Sequence, residues 1–331
     1  MGNRAVFLFL NKSKNKWFKR SGALLWYPIK RKGETSLEKT RRKNRAIVVT
    51  VCILAIGLFS VAGALLIRQD WRFSLTQRVS ALFRDIEWKQ VEFSGDELFS
   101  TTFAELLARE DVRIDESLVI VNADHPIREK SFSMEEYKDT GLLMNTCASQ
   151  AYSQLSAAIL EQTGQKLYIN NTYRSKEEQE EVFAQEGSST SARPGESEHE
   201  TGLAMDVYVY GLAGPGFLKS KAGQFVASEG YQYGFIVRYP QGKSNKTGIS
   251  YEPWHIRYVG SPHAEILYCK NWCLEEYFEH MKVGEFYRSG EYLITRQPKG
   301  EAIRFPEGMA ELTVSEDNMG NVVITGRYPN T

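Results

Sequence analysis

Cysteine is scarce in this chain, with four in 331 residues. Cys52 falls in an uncharged segment, Cys147 lies near a predicted helix start, and Cys269 and Cys273 lie four positions apart on a predicted helix. Side chains one helical turn apart do not meet disulfide geometry well. Zinc binding by that pair would need further ligands, which the neighbouring sequence does not supply. We therefore predict buried or free thiols rather than a disulfide framework.

The chain also lacks net charge and internal repeats, but its charges are divided unevenly. Residues 1–45 carry 14 Lys or Arg against two acids, a balance of +12, and the remainder carries 27 bases and 39 acids, a balance of −12. A basic segment of this kind could bind nucleic acid. Next to a membrane span, orientation and contact with anionic lipid explain it more simply, so membrane lipid is the expected partner and nucleic acid is not.

One long run, residues 46–67, contains neither charge nor proline over 22 residues. This length suits a helix that crosses a bilayer. A buried core helix and a cleaved signal peptide are the alternatives, but the basic flank is longer than a usual signal and no convincing cleavage site follows. We predict a single uncleaved transmembrane helix over 46–67, with a cytoplasmic tail at 1–45 and the rest outside a bacterial cell.

The segments on either side of the central region have weaker patterns. Residues 68–115 mix charged and aromatic side chains, with helical spacing over 96–109, and are interpreted as a stalk or docking element. Residues 116–282 form the predicted catalytic domain, in which 118–121 is a short strand candidate and 261–281 a single helix. Residues 283–331 hold short runs separated by Gly or Pro, which predict a small antiparallel extension.

Two distant motifs hold residues suited to metal chemistry. Residues 197–206 read Ser-Glu-His-Glu-Thr-Gly-Leu-Ala-Met-Asp, and residues 252–255 read Glu-Pro-Trp-His. His199, Asp206 and His255 offer two imidazoles and one carboxylate, a set that suits zinc and leaves a fourth position open. Glu252 is a spare carboxylate. Three ligands, an open position and one unbound carboxylate are the parts of a metal-assisted hydrolase.

The pattern around these motifs predicts strands. Alternation over 203–209 places Asp206 on a strand whose opposite face is apolar, and His199 precedes it in a loop. His255 lies on a second alternating strand. Because positions three apart on a regular strand face opposite sides, we expect Glu252 on the loop that enters this strand, turned toward the metal. A lone strand histidine is more often structural, which is the interpretation given to His125, His263 and His280.

Arg174 stands at a predicted junction between a strand at 166–170 and a helix. Ser175 and Glu178 form a capping-box pattern that opens this helix. A guanidinium at such a junction points into a cleft more often than into the core, and it can fork onto a carboxylate or a polarised carbonyl. Gln179 lies one turn into the helix. Alone, each of these two residues would be interpreted as a surface residue.

Taken together, the motifs resemble the VanY-type zinc D-alanyl-D-alanine carboxypeptidases of glycopeptide resistance. The similarity is carried by residues 193–206, 234–240 and 251–260 and covers about 116–282, with a weaker likeness in the tail to 331. It implies an α+β fold, in which flanking helices pack on a small antiparallel sheet, as in hedgehog and D,D-peptidase domains. It also implies one zinc ion per chain, held by His199, Asp206 and His255.

The same resemblance implies roles for the other residues. Glu252 would be the general base, and Arg174 would hold the peptide near the scissile bond. Gln179, Ser197 and Tyr239 stand where related enzymes contact substrate. The family removes the terminal D-Ala from peptidoglycan precursor pentapeptides ending in D-Ala-D-Ala, which lowers the target of glycopeptide antibiotics. Such an enzyme needs no serine nucleophile, so it should tolerate penicillin and lose activity to a chelator.

Two alternatives stay open from the sequence. One is an LD-carboxypeptidase or cell-wall endopeptidase of the same family, which applies the same chemistry to another bond. The other is a non-catalytic wall-binding or sensor module that keeps zinc for structure. An intact Glu252 argues against the second, because a structural site has no use for a spare carboxylate. The sequence does not determine the protein partners, the oligomeric state or the preference between D-Ala and D-lactate.

Overall fold

The computed structural model describes residues 16–20, 23–27, 36–128, 130–187 and 191–329. The chain divides into two compact units, Met1–Ile67 and Arg68–Thr331. In the first unit, strands β1 (Lys16–Arg20) and β2 (Ala23–Tyr27) pair antiparallel and precede helix α1 (Ser36–Ile67). None of the helices in these ranges reaches the length and apolarity that crossing a bilayer requires. The segment 46–67 is therefore helical, as predicted, but its transmembrane assignment has no support from the structure.

The second unit holds the remaining elements. Its helices are α2 (Gln69–Ala81), α3 (Phe103–Leu107), α4 (Thr146–Thr163), α5 (Lys176–Glu186), α6 (Lys221–Glu229), α7 (Ser244–Thr247), α8 (His263–Lys270) and α9 (Leu274–His280). Its strands are β3 (Lys89–Val91), β4 (Leu98–Thr101), β5 (Val112–Asp115), β6 (Met134–Glu136), β7 (Leu143–Asn145), β8 (Tyr168–Asn171), β9 (Ala204–Tyr208), β10 (Phe235–Tyr239), β11 (Glu252–Tyr258), β12 (Phe286–Ser289), β13 (Tyr292–Pro298), β14 (Ile303–Pro306), β15 (Ala310–Glu316) and β16 (Asn321–Arg327).

A four-stranded antiparallel sheet, in the order β10-β11-β9-β8, forms the centre of the catalytic region. Strand side chains alternate between the two faces, so Met205 and Val207 join the core that α4 and α6 cover, while Asp206 lies on the opposite face. This confirms a mixed fold of helices and small sheets. It also explains why a carboxylate can stand in a strand whose other face is apolar.

A second sheet joins the two ends of this unit. Its six strands follow the order β3-β12-β13-β16-β15-β5, antiparallel except for the parallel pair β15 and β5, and β4 pairs separately with β14. Residues 89–115, interpreted from the sequence as part of a stalk, thus build one domain with residues 286–327. Helical spacing over 96–109 yields only the short helix α3, flanked by β4. Pairing between segments about 200 residues apart leaves no local pattern from which it could be predicted.

The predicted strand at 118–121 is absent, although all four residues are buried. Its backbone groups are satisfied in another way. Arg257 Nη2 donates to the carbonyl oxygens of Ser117 and Val119 at 2.9 and 2.7 Å, and Ile120 N donates to Asp317 O at 3.3 Å. Because buried backbone groups need partners of some kind, a guanidinium here replaces a neighbouring strand.

The single helix predicted over 261–281 is two helices, α8 and α9. Asn271 adopts the left-handed conformation, with φ 54°, and ends α8. Cys273 is then the N-cap residue of α9, where Glu276 accepts from its backbone N at 3.0 Å. Cys269 and Cys273 therefore lie on different elements. Both are free thiols, as predicted.

His263 is a buried link between α8, α9 and β16. Its Nδ1 lies 2.7 Å from the Tyr277 hydroxyl and its Nε2 lies 3.1 Å from Thr325 Oγ1. These contacts agree with the structural interpretation of this histidine. Burial lowers the pKa of His263 to about 3, because the charged imidazolium would lose its hydration without gaining a counter-ion.

We expect this histidine to make folding sensitive to acid. In the unfolded chain, His263 takes up a proton below its ordinary pKa of about 6.5, whereas in the folded chain it stays neutral down to about pH 3. The free energy of unfolding therefore falls as pH falls. Between pH 7 and pH 5 the loss is about 2 kcal/mol. Urea unfolding in the presence of a chelator should show that His263→Gln reduces the difference in the free energy of unfolding between pH 7 and pH 5 by about this amount. The exposed His280→Gln should leave it unchanged, and an equal effect of both substitutions would contradict the assignment.

Candidate metal centre

Three side chains from two distant segments meet on the open face of the central sheet. Among the described residues, His199, Asp206 and His255 each offer one ligand atom, and these atoms lie within 4.8 Å of one another. His199 Nε2 lies 3.4 Å from Asp206 Oδ2, and His255 Nδ1 lies 3.1 Å from Asp206 Oδ1. The pairing of β9 with β11 sets Asp206 directly opposite His255. The structure thus brings together the three ligands that the sequence suggested.

His199 reaches this point from a 3₁₀ turn, Glu198–Thr201, that precedes β9. The turn ends at Gly202, with φ +66°, where a Cβ atom would lie 2.7 Å from Asn145 N. Only glycine fits that conformation and that close approach. His199 Nδ1 donates to Thr172 O at 2.6 Å. This hydrogen bond orients the ring so that Nε2 faces Asp206.

The donor set fits a metal ion of zinc's size. Ligand atoms about 2.0–2.1 Å from a tetrahedral ion are about 3.3 Å apart. Each imidazole lies about that far from one of the two Asp206 oxygens, and the three candidate ligand atoms lie within 4.8 Å of one another. His255 Nε2 is buried without a hydrogen-bond partner in the described part of the chain. The protein alone therefore leaves this cluster of polar atoms incompletely satisfied. Neutral imidazole and carboxylate are ligands that zinc accepts readily.

The electrostatics of the site favour an ionised carboxylate. Burial opposes ionisation of Asp206, but hydrogen bonds and positive potential from His199 and His255 outweigh it and hold the pKa of that carboxyl well below its usual value. Burial likewise opposes protonation of His255, but Asp206 and Glu252 together raise its pKa. Asp206 is consequently an anionic ligand throughout the physiological range.

Glu252 lies in the first position of β11 rather than on a loop before it. Its Oε2 is 3.8 Å from His255 Nδ1. A regular strand would place these two side chains on opposite faces. Glu252 pairs with Tyr239 while Ile256 pairs with Val237, so β11 contains two more residues than β10 across this interval. The strand is therefore irregular between Glu252 and Ile256, and the Glu252 carboxylate reaches the candidate metal ligands despite its position three residues before His255.

Arg174 follows β8 at the end of the sheet where His199 lies. Its backbone N donates to His199 O at 3.1 Å, and its Nη1 donates to Gln179 Oε1 at 2.8 Å. The predicted capping box opens α5, since Ser175 accepts from Glu178 N at 3.2 Å and Ser175 N donates to Glu178 at 2.7 Å. The cap holds the start of this helix, and with it Arg174, beside the metal ligands.

The other suggested substrate residues differ in their exposure. Gln179 is buried, and its amide nitrogen donates to Ala192 O at 2.7 Å and to Ser191 Oγ at 3.1 Å. With Arg174 on its oxygen, this amide is engaged by protein groups and positions the arginine. Ser197 is also buried and precedes the turn of His199. The Tyr239 ring is half-buried and lies 4.8 Å from the His255 ring, centroid to centroid.

Sequence reasoning missed a buried cluster of charges beside the metal ligands. Glu198 Oε1 accepts from Arg238 Nε at 2.7 Å and from Arg257 Nη1 at 2.8 Å. Arg238 also makes a forked pair with Glu275, at 2.6 and 2.9 Å. Two charged residues of each sign are thus buried together. The available signal was an arginine flanked by apolar residues in each of two strands, Val237-Arg238-Tyr239 and Ile256-Arg257-Tyr258, since buried charge requires a partner.

The fold carries a candidate metal site with a carboxylate beside it, and comparison with known proteins identifies the class of enzyme. The model of the VanY family, D-alanyl-D-alanine carboxypeptidase, matches residues 141–261. A D-alanyl-D-alanine carboxypeptidase of Enterococcus faecium is 30% identical over 232 residues, which cover 63% of this chain and 74% of that one. The bifunctional D-Ala-D-Ala dipeptidase and carboxypeptidase VanXYC of Enterococcus gallinarum is 32% identical over 184 residues, or 50% and 95%.

A solved structure extends the likeness to the fold. The vancomycin-resistance D,D-dipeptidase VanXYg, crystallised with a D-Ala-D-Ala phosphinate analog, superposes with a TM-score of 0.54 at 24% identity, covering 73% of this chain and 99% of that one. This chain belongs to the VanY family of carboxypeptidases.

Breaking the buried charge cluster should destabilise the protein severely. Glu198→Ala removes the carboxylate shared by Arg238 and Arg257 and leaves a buried guanidinium without its counter-ion, which costs about 3–5 kcal/mol. Chemical unfolding of the metal-free protein measures this loss directly. The matched control is Glu279→Ala, which removes an exposed pair with Lys246 and should cost no more than about 1 kcal/mol. Equal losses for the two variants would refute the importance of burial.

Proposed function

We propose that this chain is a zinc-dependent D,D-carboxypeptidase that removes the terminal D-Ala from peptidoglycan precursor pentapeptides. The observation that carries the proposal is the convergence of His199, Asp206 and His255, with the Glu252 carboxylate 3.8 Å from His255. Family membership supports the choice of bond, because its relatives are named for D-Ala-D-Ala substrates. Loss of that terminus would lower the amount of glycopeptide target, as the resistance name of the structural neighbour suggests.

Each residue of the site has a separate role in the proposed reaction. Zinc, when bound, supplies a Lewis acid that polarises the scissile carbonyl and makes water more acidic. Glu252 accepts the proton of the attacking water oxygen and later donates it to the leaving amine of D-alanine. The Arg174 guanidinium, held by Gln179, donates to the substrate carbonyl or carboxylate and orients the peptide. Thr172 and the buried charge cluster keep His199 in position throughout.

Replacing the general base should separate turnover from metal binding. Glu252→Ala is expected to lower kcat by about 10²–10⁴-fold, because the proton acceptor is lost, while the three ligands still hold one metal ion per chain. Release of D-Ala from a synthetic pentapeptide gives the rate, and elemental analysis gives the metal content. Glu180→Gln, on the exposed side of α5, serves as the control and should retain the rate.

Two results would contradict this assignment. A Glu252→Ala protein with turnover within a few-fold of the parent would remove Glu252 from the mechanism. A parent protein that binds metal but releases an amino acid only from tetrapeptides would assign the site to an LD-carboxypeptidase instead. The same assay with both peptides therefore tests the proton acceptor and the choice of bond together.

We also propose that the chain is anchored in the cell membrane, with residues 1–45 in the cytoplasm and the catalytic unit outside. Support comes from the sequence, in which a strongly basic segment precedes 22 residues without charge or proline. In intact spheroplasts, external protease should degrade the unit 68–331 and spare an epitope placed within residues 1–45. Recovery of the whole chain in the soluble fraction would overturn the proposal.

A further inference from the structure

A cavity of about 460 Å³ lies against strand β10, which contributes Phe235, Ile236 and Val237 to its lining. Helix α2 forms one wall through Phe73 and Gln77, and Tyr231, Tyr268 and Trp272 form much of another. The volume and the largely aromatic and aliphatic lining are those of small-molecule sites. None of the metal ligands lines it. Tyr251, on its rim, directly precedes Glu252, so an occupant would lie against the start of β11.

The charges in this lining are all of one sign. Arg78 and Arg84 are the charged side chains among the residues that line the cavity, and no acid accompanies them. Asp85 and Glu229 stand on adjoining segments, but within the described ranges neither forms an ion pair with these arginines. Arg84 is partly buried and Arg78 is exposed. A partly buried guanidinium such as that of Arg84 is electrostatically costly without a counter-ion, so an anion is the complementary ligand.

Arg84 is held in place before any ligand arrives. Its guanidinium carbon stacks 3.7 Å from the centre of the Tyr268 ring. Its nitrogens donate to Ser80 Oγ at 2.9 Å, to Tyr268 O at 3.3 Å and to Gln77 Oε1. All of these acceptors are uncharged, so they fix the orientation of the guanidinium without neutralising it. The stacked ring of Tyr231, 4.2 Å from that of Tyr268, continues the same wall.

We propose that this cavity binds a small amphiphilic anion, with one carboxylate or phosphate group on Arg84 and Arg78 and an aromatic or apolar body against Tyr231, Tyr268 and Trp272. The donors of Arg84 that its protein contacts leave over, Nε–H and one Nη1–H, can donate to an oxygen of either anionic group, and the Arg78 guanidinium adds further donors. The apolar walls remove the body of the ligand from water. This site is separate from the peptidase chemistry and does not depend on the substrate proposed above.

Water-soluble naphthalene probes test the two halves of the site in the full-length protein. Calorimetry should show saturable binding, one per chain, of 2-naphthoate or 2-naphthyl phosphate, and the tighter of the two identifies the preferred headgroup. The neutral 2-naphthylmethanol, and acetate or inorganic phosphate without an aromatic body, should each bind at least about 10-fold more weakly, because each lacks one half of the interaction.

Variants of the cavity provide the matched controls. Arg84→Gln should weaken naphthoate binding about 10-fold or more, Arg84→Lys should restore part of it, and Ala227→Phe should block it by filling the cavity. Arg72→Gln, exposed on helix α2 but outside the lining, should bind as the parent does. Parental thermal unfolding without ligand checks that each variant is folded. Equal binding of naphthoate and naphthylmethanol, or parental affinity in Arg84→Gln, would overturn the proposal.

Discussion

The shared carboxylate of Glu198 is the interaction on which the geometry of the site depends. One oxygen accepts from Arg238 of β10 and from Arg257 of β11, at 2.7 and 2.8 Å, and the residue that follows is the metal ligand His199. In a low-dielectric interior these ion pairs keep their geometry, because moving either arginine away from Glu198 would leave an unpaired charge in the core. The turn of His199 is thereby fixed to the two strands beside it, one of which carries His255.

Arg257 extends this constraint to the rest of the molecule. Arg257 donates to the carbonyl oxygens of Ser117 and Val119, which lie in the buried segment leading out of β5. β5 pairs with β15, and Asn318, in the turn after β15, donates to the carbonyl oxygens of Ile120 and His125. The six-stranded sheet therefore supports the buried segment that Arg257 contacts, and it is not a separate module. This is a structural role for the residues that flank the peptidase region.

A second constraint positions Glu252, the proposed general base. A strand places side chains three apart on opposite faces, yet Glu252 and His255 both face the metal ligands. The pairing of β11 with β10 is irregular between Glu252 and Ile256, so the alternation of a regular strand does not hold across this interval. Proline is tolerated at such an irregularity, since it has no N–H to offer the sheet. A local departure from regular pairing thus accompanies the approach of Glu252 to the candidate metal ligands.

The sequence by itself determined the donor chemistry and the local elements. Two histidines and an aspartate at motif spacing indicated a metal, alternation placed Asp206 and His255 on strands, and Ser175 with Glu178 marked the start of α5. These features depend on neighbours within a few residues, so they can be read from the chain. Only the tertiary structure decided that residues 89–115 pair with the far end of the chain, that 118–121 is held by Arg257, and that Glu198 joins two strands. The first two depend on partners more than 100 residues away, and the third depends on partners 40 and 59 residues away. Which of these distant residues meet is decided by the packing of the whole chain, whereas local patterns depend only on neighbours.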